Sequence, residues 1–288
     1  MCRRIPVWSY MRGMPCIFCE MKKNYKMTVR YDGTRYYGWE HQPGNPMTIQ
    51  GKLETVLTRM LQDGEKDPSA DVEDTVQEEI SVSRRAVTVI GAGRTDAGVH
   101  ARAMTANVLL DTPLSEEEIR TYMNRYLPDD ISVDELKVCA DRFHSRFKAK
   151  GKTYCYTLWC GEGKPVFDRK YVTILEKRPD VQRMRLAAEH MTGMHDYKSF
   201  CGNSHMKKPT IRVVDSIEIK SRGPYIRIYF HGNGFLQNMV RIMTGTMLEA
   251  GYGRLDPDRI PVILEARDRS LAGPTAPAQG LTLQGVDY

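Results

Sequence analysis

Residues 25–31, YKMTVRY, alternate apolar and polar positions with the period of a half-buried strand. Thr48 then precedes a run in which Ile49, Leu53, Val56, Leu57, Met60 and Leu61 share one helical face, so the spacing predicts a helix capped by the Thr48 hydroxyl. AVTVI (86–90) and RAMTANVLL (102–110) are rich in β-branched and apolar residues and read as strands. LSEEEI (114–119) is a capping box: Ser115 caps, Glu118 answers three residues later, and Leu114 and Ile119 are spaced to staple. Pro128 ends that helix, and ISVDELKV (131–138) reads as the next strand.

The order then repeats. A strand is expected at 153–159, a helix opened by Asp180 and closed near Gly193, and strands at 210–219 and 224–230. An apolar helix follows at about 235–250, another begins at DPDRI (256–260), and GLTLQGVDY (280–288) closes as a strand. Both halves thus read β-α-β-β-α-β, the split order of ferredoxin-like and RRM-like folds, with no matching repeat in the residues themselves. The expectation is an α+β protein of two halves with antiparallel sheets. An N-terminal extension (1–24) would precede an N-terminal domain (25–140, with an acidic insertion at about 63–82) and a C-terminal domain (141–288).

Composition narrows the class. No apolar run is long enough to span a membrane, and no signal-peptide core follows Arg3, Arg4 and Arg12. Seven cysteines without framework spacing suggest a reduced, cytoplasmic protein. Cys16 and Cys19 form a lone C-x-x-C without further ligands at zinc spacing, so no metal is expected. The net charge is +6, but residues 63–79 alone carry −7, which leaves +13 on the rest of the chain. Such a balance suits a polyanionic partner, although solvated lysines produce it too.

The chemistry concentrates in GAGRTDAGVHA (91–101), where small residues surround Arg94, Asp96 and His100. A dinucleotide loop would need glycine where Asp96 stands, and a P-loop would need Gly-Lys-Ser/Thr, so neither phosphate cradle fits. Two readings remain: a tight Asx-turn around Asp96, or a rigid loop presenting a nucleophile or base to a molecule that must come close.

The same loop resembles the tRNA pseudouridine synthase A family, in which GRTDAGVH carries the catalytic aspartate. The resemblance runs colinearly through VRYDGTRYYGWEHQPGNPMTIQGKLE (29–54), FHSRFKAKGKTYCYTLW (143–159), HDYKSF (195–200), GNGFLQNMVRIMTG (232–245) and APAQGLTLQGVDY (276–288). It covers about 25–288; the extension, with a natural start at Met21, and the acidic insertion fall outside the matched motifs.

The resemblance implies two halves around a central cleft, with Asp96 as nucleophile, Arg241 as its ionic partner and Tyr154 as the active-site tyrosine. It also implies a homodimer acting on the tRNA anticodon stem-loop at positions 38–40. Isomerising uridine to pseudouridine moves no electrons and needs no added atoms, so no cofactor is expected. The sequence leaves open attack at C1′, attack at C6, or a glycal route.

A carboxylate in a closed pocket tends to take up a proton, and a guanidinium opposes this. The apolar surroundings of Arg241 imply a buried cation that requires an anion. Tyr154 could stack on an extracted base or handle the C5 proton, and Arg94 could fill the space the base leaves. Arg30, Arg35, Tyr36, Tyr37, Trp39 and Gln42 interleave cations with flat rings and are expected to contact RNA. His100 is expected to orient the loop, and His144 and Arg146 to hold the domain junction. The rival reading is a catalytically silent tRNA-binding module.

Overall fold

The computed structural model describes residues 22–64, 87–203 and 205–288. The C-x-x-C of Cys16 and Cys19, and the acidic insertion expected at about 63–82 from residue 65 onward, lie outside the described residues. In chain order the strands are β1 (Lys23–Tyr31), β2 (Val89–Gly91), β3 (His100–Leu110), β4 (Ile131–Cys139), β5 (Gly151–Trp159), β6 (Thr173–Ile174), β7 (Gly193–Asp196), β8 (Ile211–Arg222), β9 (Tyr225–Gly232) and β10 (Leu281–Asp287). The helices are α1 (Ile49–Gly64), α2 (Glu116–Tyr126), α3 (Val181–His190), α4 (Met239–Gly251) and α5 (Ile260–Ala266).

Local chemistry explains most boundaries. Thr48 Oγ1 accepts from the Gly51 amide at the head of α1, whose Ile49, Leu53, Val56, Leu57 and Met60 are buried. The capping box at Ser115 and Glu118 forms, and α2 buries Ile119 and Met123. Asp180 caps α3 by accepting from the amides of Gln182 and Arg183. The apolar run at 235–250 starts its helix only at Met239, because Asn238 adopts φ 58°, ψ 5°, a left-handed conformation no helix continues through. The short strands β6 and β7 have no counterpart in the sequence pattern; β6 owes its place to two parallel pairings with Leu158 and Trp159.

All ten strands form one sheet, in the order β4-β1-β3-β10-β5-β9-β8-β7, with β2 paired to β3 and β6 to β5. The expected separate sheets are therefore a single mixed one. The joint is β10, which runs antiparallel to β5 on one side and parallel to β3 on the other. That parallel contact is short, Thr282 opposite His100 and Leu283 opposite Ala101. Buried side chains form one continuous cluster from Tyr25 to Leu283, so no solvent gap divides the core. Among the described residues no helix is long and apolar enough to cross a membrane.

Candidate active site

The loop between β2 and β3 is clamped from below. Thr95 accepts from the Trp39 amide through its carbonyl and shares a 2.8 Å hydrogen bond with the Tyr31 hydroxyl. The Gly98 amide donates to the Tyr36 carbonyl, and Gly98 has φ +79°, which glycine adopts without strain. The small residues serve this packing first. A side chain at Gly91 would meet the Trp39 ring at 2.5 Å, and one at Gly93 would meet Lys152 Nζ at 2.9 Å. The close approach that the sequence suggested for an outside molecule is, at these two positions, made by the protein's own Trp39 and Lys152.

Asp96 stands at the middle of the loop, half-buried, with Oδ2 3.2 Å from Arg241 Nη1. Arg241 comes from the first turn of α4, from the far end of the chain. The same Nη1 donates to Asn238 Oδ1 at 2.9 Å, and Nε donates to the Ala276 carbonyl at 2.7 Å. Three acceptors on three segments hold the guanidinium plane, and the left-handed turn at Asn238 supplies one of them. A partly buried arginine so fixed presents a preorganised positive charge to one carboxylate.

Tyr154, on β5, is 7% exposed and packs edge-to-face against Phe235, ring centroids 5.3 Å apart. Burial, with the Asp96 charge adding to it, pushes the phenol well above its ordinary range, so the hydroxyl is protonated at neutral pH. Among the described residues nothing hydrogen-bonds that hydroxyl. Two positions earlier on the strand, Lys152 lies against Gly93; burial and then the charges of Arg146 and Arg212 bring its ammonium down to about 8.

His100 begins β3 beside the joint with β10. Its Nδ1 accepts from the Gly33 amide at 3.0 Å, which leaves the proton on Nε2 to face the carbonyls of Lys170 and Gln279. Burial lowers its pKa against the pull of the Asp32 carboxylate, 3.1 Å from Nδ1, and the ring ties the loop to the segments that follow β1 and precede β10.

Asp96, Arg241, Tyr154 and Lys152, though not His100, line one cleft of about 960 Å³. The cleft brings together Asp96, Arg241, Tyr154 and Arg94, with Tyr37 and Gln42 at its mouth. Arg94 is ion-paired with Glu40. Tyr37 is 60% exposed, and Gln42 donates to the Tyr37 carbonyl.

The remaining sequence candidates sit elsewhere. Trp39 is 3% exposed and is core, packed on Tyr31 and Gly91, so its ring has no face free for a base within the cleft. Arg30 pairs with Asp134 at 2.7 Å and Arg35 with Asp130 at 2.5 Å, and neither lines the cleft. His144 stacks on Phe147, ring centroids 4.1 Å apart, while Arg146 reaches the cleft. Sequence reasoning missed Lys152, Phe235 and Asn238. Lys152 was findable: on a strand, positions two apart share a face, so it accompanies Tyr154. Phe235 and Asn238 looked helical, and nothing in the apolar run marked the left-handed residue.

Comparison with known sequences follows the same colinear series. The model of a family described as tRNA pseudouridine synthase matches residues 27–148 and 187–288. The tRNA pseudouridine synthase A of a Bacillus species is 42% identical over 265 residues, 92% of this chain and 99% of its own length. A tRNA pseudouridine synthase A 2 of Bacillus cereus is 39% identical over the same extent. The tRNA pseudouridine synthase A of Clostridium kluyveri is 36% identical over 266 residues, 92% of this chain and 100% of its own.

Proposed function

The chain belongs to the tRNA pseudouridine synthase family, and from that premise we propose that it isomerises uridine to pseudouridine in the anticodon stem-loop of tRNA, at positions 38–40. The observation that carries the reading to particular residues is the Asp96–Arg241 pair, 3.2 Å apart in a cleft shared with Tyr154. In the reaction the N1–C1′ bond breaks, the uracil turns, C5 joins C1′, and one proton leaves C5 while another reaches N1.

Asp96 acts as the nucleophile, paired with and oriented by Arg241. Tyr154 enters as a neutral phenol. Among the described residues its hydroxyl has no hydrogen-bond partner, and Tyr154 lines the cleft, where a bound group can meet that hydroxyl. In this reading it gives one proton and accepts another, moving a proton from C5 towards N1 without a phenolate in the resting enzyme. Phe235 stacks across the base from the loop side, and Arg94 leaves Glu40 to fill the space vacated in the RNA stack. Tyr37 and Gln42 contact RNA at the mouth.

The chain divides in this reading into an N-terminal domain at 25–140 and a C-terminal domain at 141–288, each of β-α-β-β-α-β order, with the cleft between them. It works as a cytoplasmic homodimer whose tRNA crosses both subunits, without metal or cofactor. The test is release of tritium from tRNA transcripts labelled at uridine C5, with the modified positions mapped. Tritium release confined to positions 38–40 supports the assignment; no release, or release elsewhere only, overturns it.

A further inference from the structure

Seven lysines and arginines line the cleft against two carboxylates, Glu40 and Asp96, and both carboxylates are already ion-paired with Arg94 and Arg241. Two of the other cations, Arg146 and Arg212, lie close enough to a third, Lys152, to work against its charge. Among the described residues none of the three has an ion pair. Arg212 spends one Nη on the carbonyls of Pro209 and Ile211 at 2.9 and 2.6 Å, which orients its guanidinium without neutralising it. Lys152 Nζ is seated against Gly93, three residues before Asp96.

A largely buried ammonium beside two guanidinium groups, with no anion, is an expensive arrangement. Burial already works against the Lys152 charge, and the two neighbours work in the same direction. Packing does not require it: a methionine of similar length would fill the strand position without charge. Such a cluster is completed by an anion brought from outside. The three come from different segments, Lys152 from β5, Arg146 from the turn before it and Arg212 from β8, and all three line the same cleft.

Resting on the reading of this cleft as the site of the target uridine, we propose that Lys152, Arg146 and Arg212 form a binding site for a single phosphodiester, one of the two flanking that uridine. The bound phosphate fixes the sugar against Asp96, so that the base can detach and turn while its ribose stays in place. A uracil released from C1′ has lost its covalent tether, and a clamped ribose keeps the reacting carbon aligned for C5.

The test uses anticodon stem-loop RNAs carrying one uncharged methylphosphonate in place of either phosphodiester flanking the target uridine, or at a remote linkage. Affinity is measured by filter retention across a salt series for the wild-type chain, Lys152→Gln, Arg212→Gln and Lys152→Arg, with thermal melts to establish folding. On unmodified RNA, Lys152→Gln and Arg212→Gln should each lose about tenfold in affinity and about one unit of salt slope, while Lys152→Arg retains both. At one flanking linkage the methylphosphonate should weaken the wild type to the level of these variants and leave the variants unchanged. The remote substitution should penalise all four alike.

Additive losses at both flanking linkages overturn the site. So do variants that bind normally but fail to turn over, which would assign the lysine to the uracil oxygens. If Lys152→Gln melts early, Arg212→Gln against Lys152→Arg decides the same question. Wild-type turnover on the unmodified stem-loop is read separately. Absent turnover with intact linkage sensitivity removes the reaction and keeps the site, and the converse removes the site and keeps the reaction.

Discussion

At the β4 edge of the sheet the arginines are matched where they stand: Arg30 on β1 meets Asp134 on β4, and Arg35, just past β1, meets Asp130, just before β4, with the Tyr36 hydroxyl also on Asp130 at 2.6 Å. In the cleft, Lys152, Arg146 and Arg212 meet no carboxylate at all among the described residues. The exposed pairs contribute little and are screened by salt. In the cleft, burial and the neighbouring Arg146 and Arg212 work against the charge of Lys152. Both regions look alike in a count of basic residues, yet only the second holds charge in reserve. The presence or absence of a protein partner separates a cation that stabilises the fold from one that waits for a ligand.

The sharpest way to probe the contrast is at the cleft's own matched pair. Asp96→Asn keeps the shape of the loop but makes a poor nucleophile, so single-turnover tritium release should fall by about 10³-fold or more. Filter retention of tRNA should stay within about threefold, since a neutral amide adds no repulsion to RNA. Retained turnover would remove Asp96 from the chemistry, and lost binding with a lowered melting temperature would return it to the Asx-turn reading.

Tyr154 comes next in expected size. Tyr154→Phe keeps the ring and its edge-to-face contact with Phe235 while losing only the hydroxyl. If the unpartnered hydroxyl carries a proton, single-turnover rates should drop by about 10²-fold or more with affinity nearly unchanged. A Phe variant with wild-type rates would leave Tyr154 a packing residue, and Tyr154→Ala should then carry the whole effect.

The cost of the waiting charge is measurable without RNA. Lys152→Met should raise the stability of the free protein at pH 7 by on the order of 1 kcal/mol, read by urea denaturation. The sign follows from the lowered pKa, from an ordinary 10.5 to about 8 in the folded chain. Between those values the unfolded chain binds more protons than the folded one, so wild-type stability rises with pH. The penalty is fully present below about pH 8 and fades towards 10.5, and the advantage of Lys152→Met should fade with it. An advantage independent of pH would mean that the gain comes from packing rather than charge.

The matched rim should respond least. Arg30→Gln with Arg35→Gln should change tRNA affinity by less than about twofold and leave the salt slope unaltered, because those cations already have partners. A slope reduced by about two units would show that RNA displaces the aspartates, and the contrast between the two regions would collapse.

Much of the protein is legible from local rules. Capping at Thr48, Ser115 and Asp180, and the periodicities of α1, β1 and β4, depend on neighbours within a few residues and were readable as such. The loop GAGRTDAGVHA also announced its carboxylate, and the resemblance named Arg241 and Tyr154 beside it. What local rules could not supply is partnership across the chain. Trp39 read as an RNA contact because a tryptophan among arginines and tyrosines fits one, while its burial depends on Gly91, more than fifty residues away.

The late start of α4 has the same origin. FLQNMVRIMTG is continuously apolar enough to be helix, and the left-handed Asn238 is stabilised by the Arg241 guanidinium that also meets Asp96. The sequence by itself determined most of the elements, the α+β class and the carboxylate at the centre of the loop, because turns, caps and periodicities are short-range. Only the tertiary structure decided that one sheet runs through both ends of the chain, joined at His100 and Thr282. It alone also decided which cations are neutralised and which are left open to the cleft, because charge pairing and burial are set by distance in space rather than along the chain.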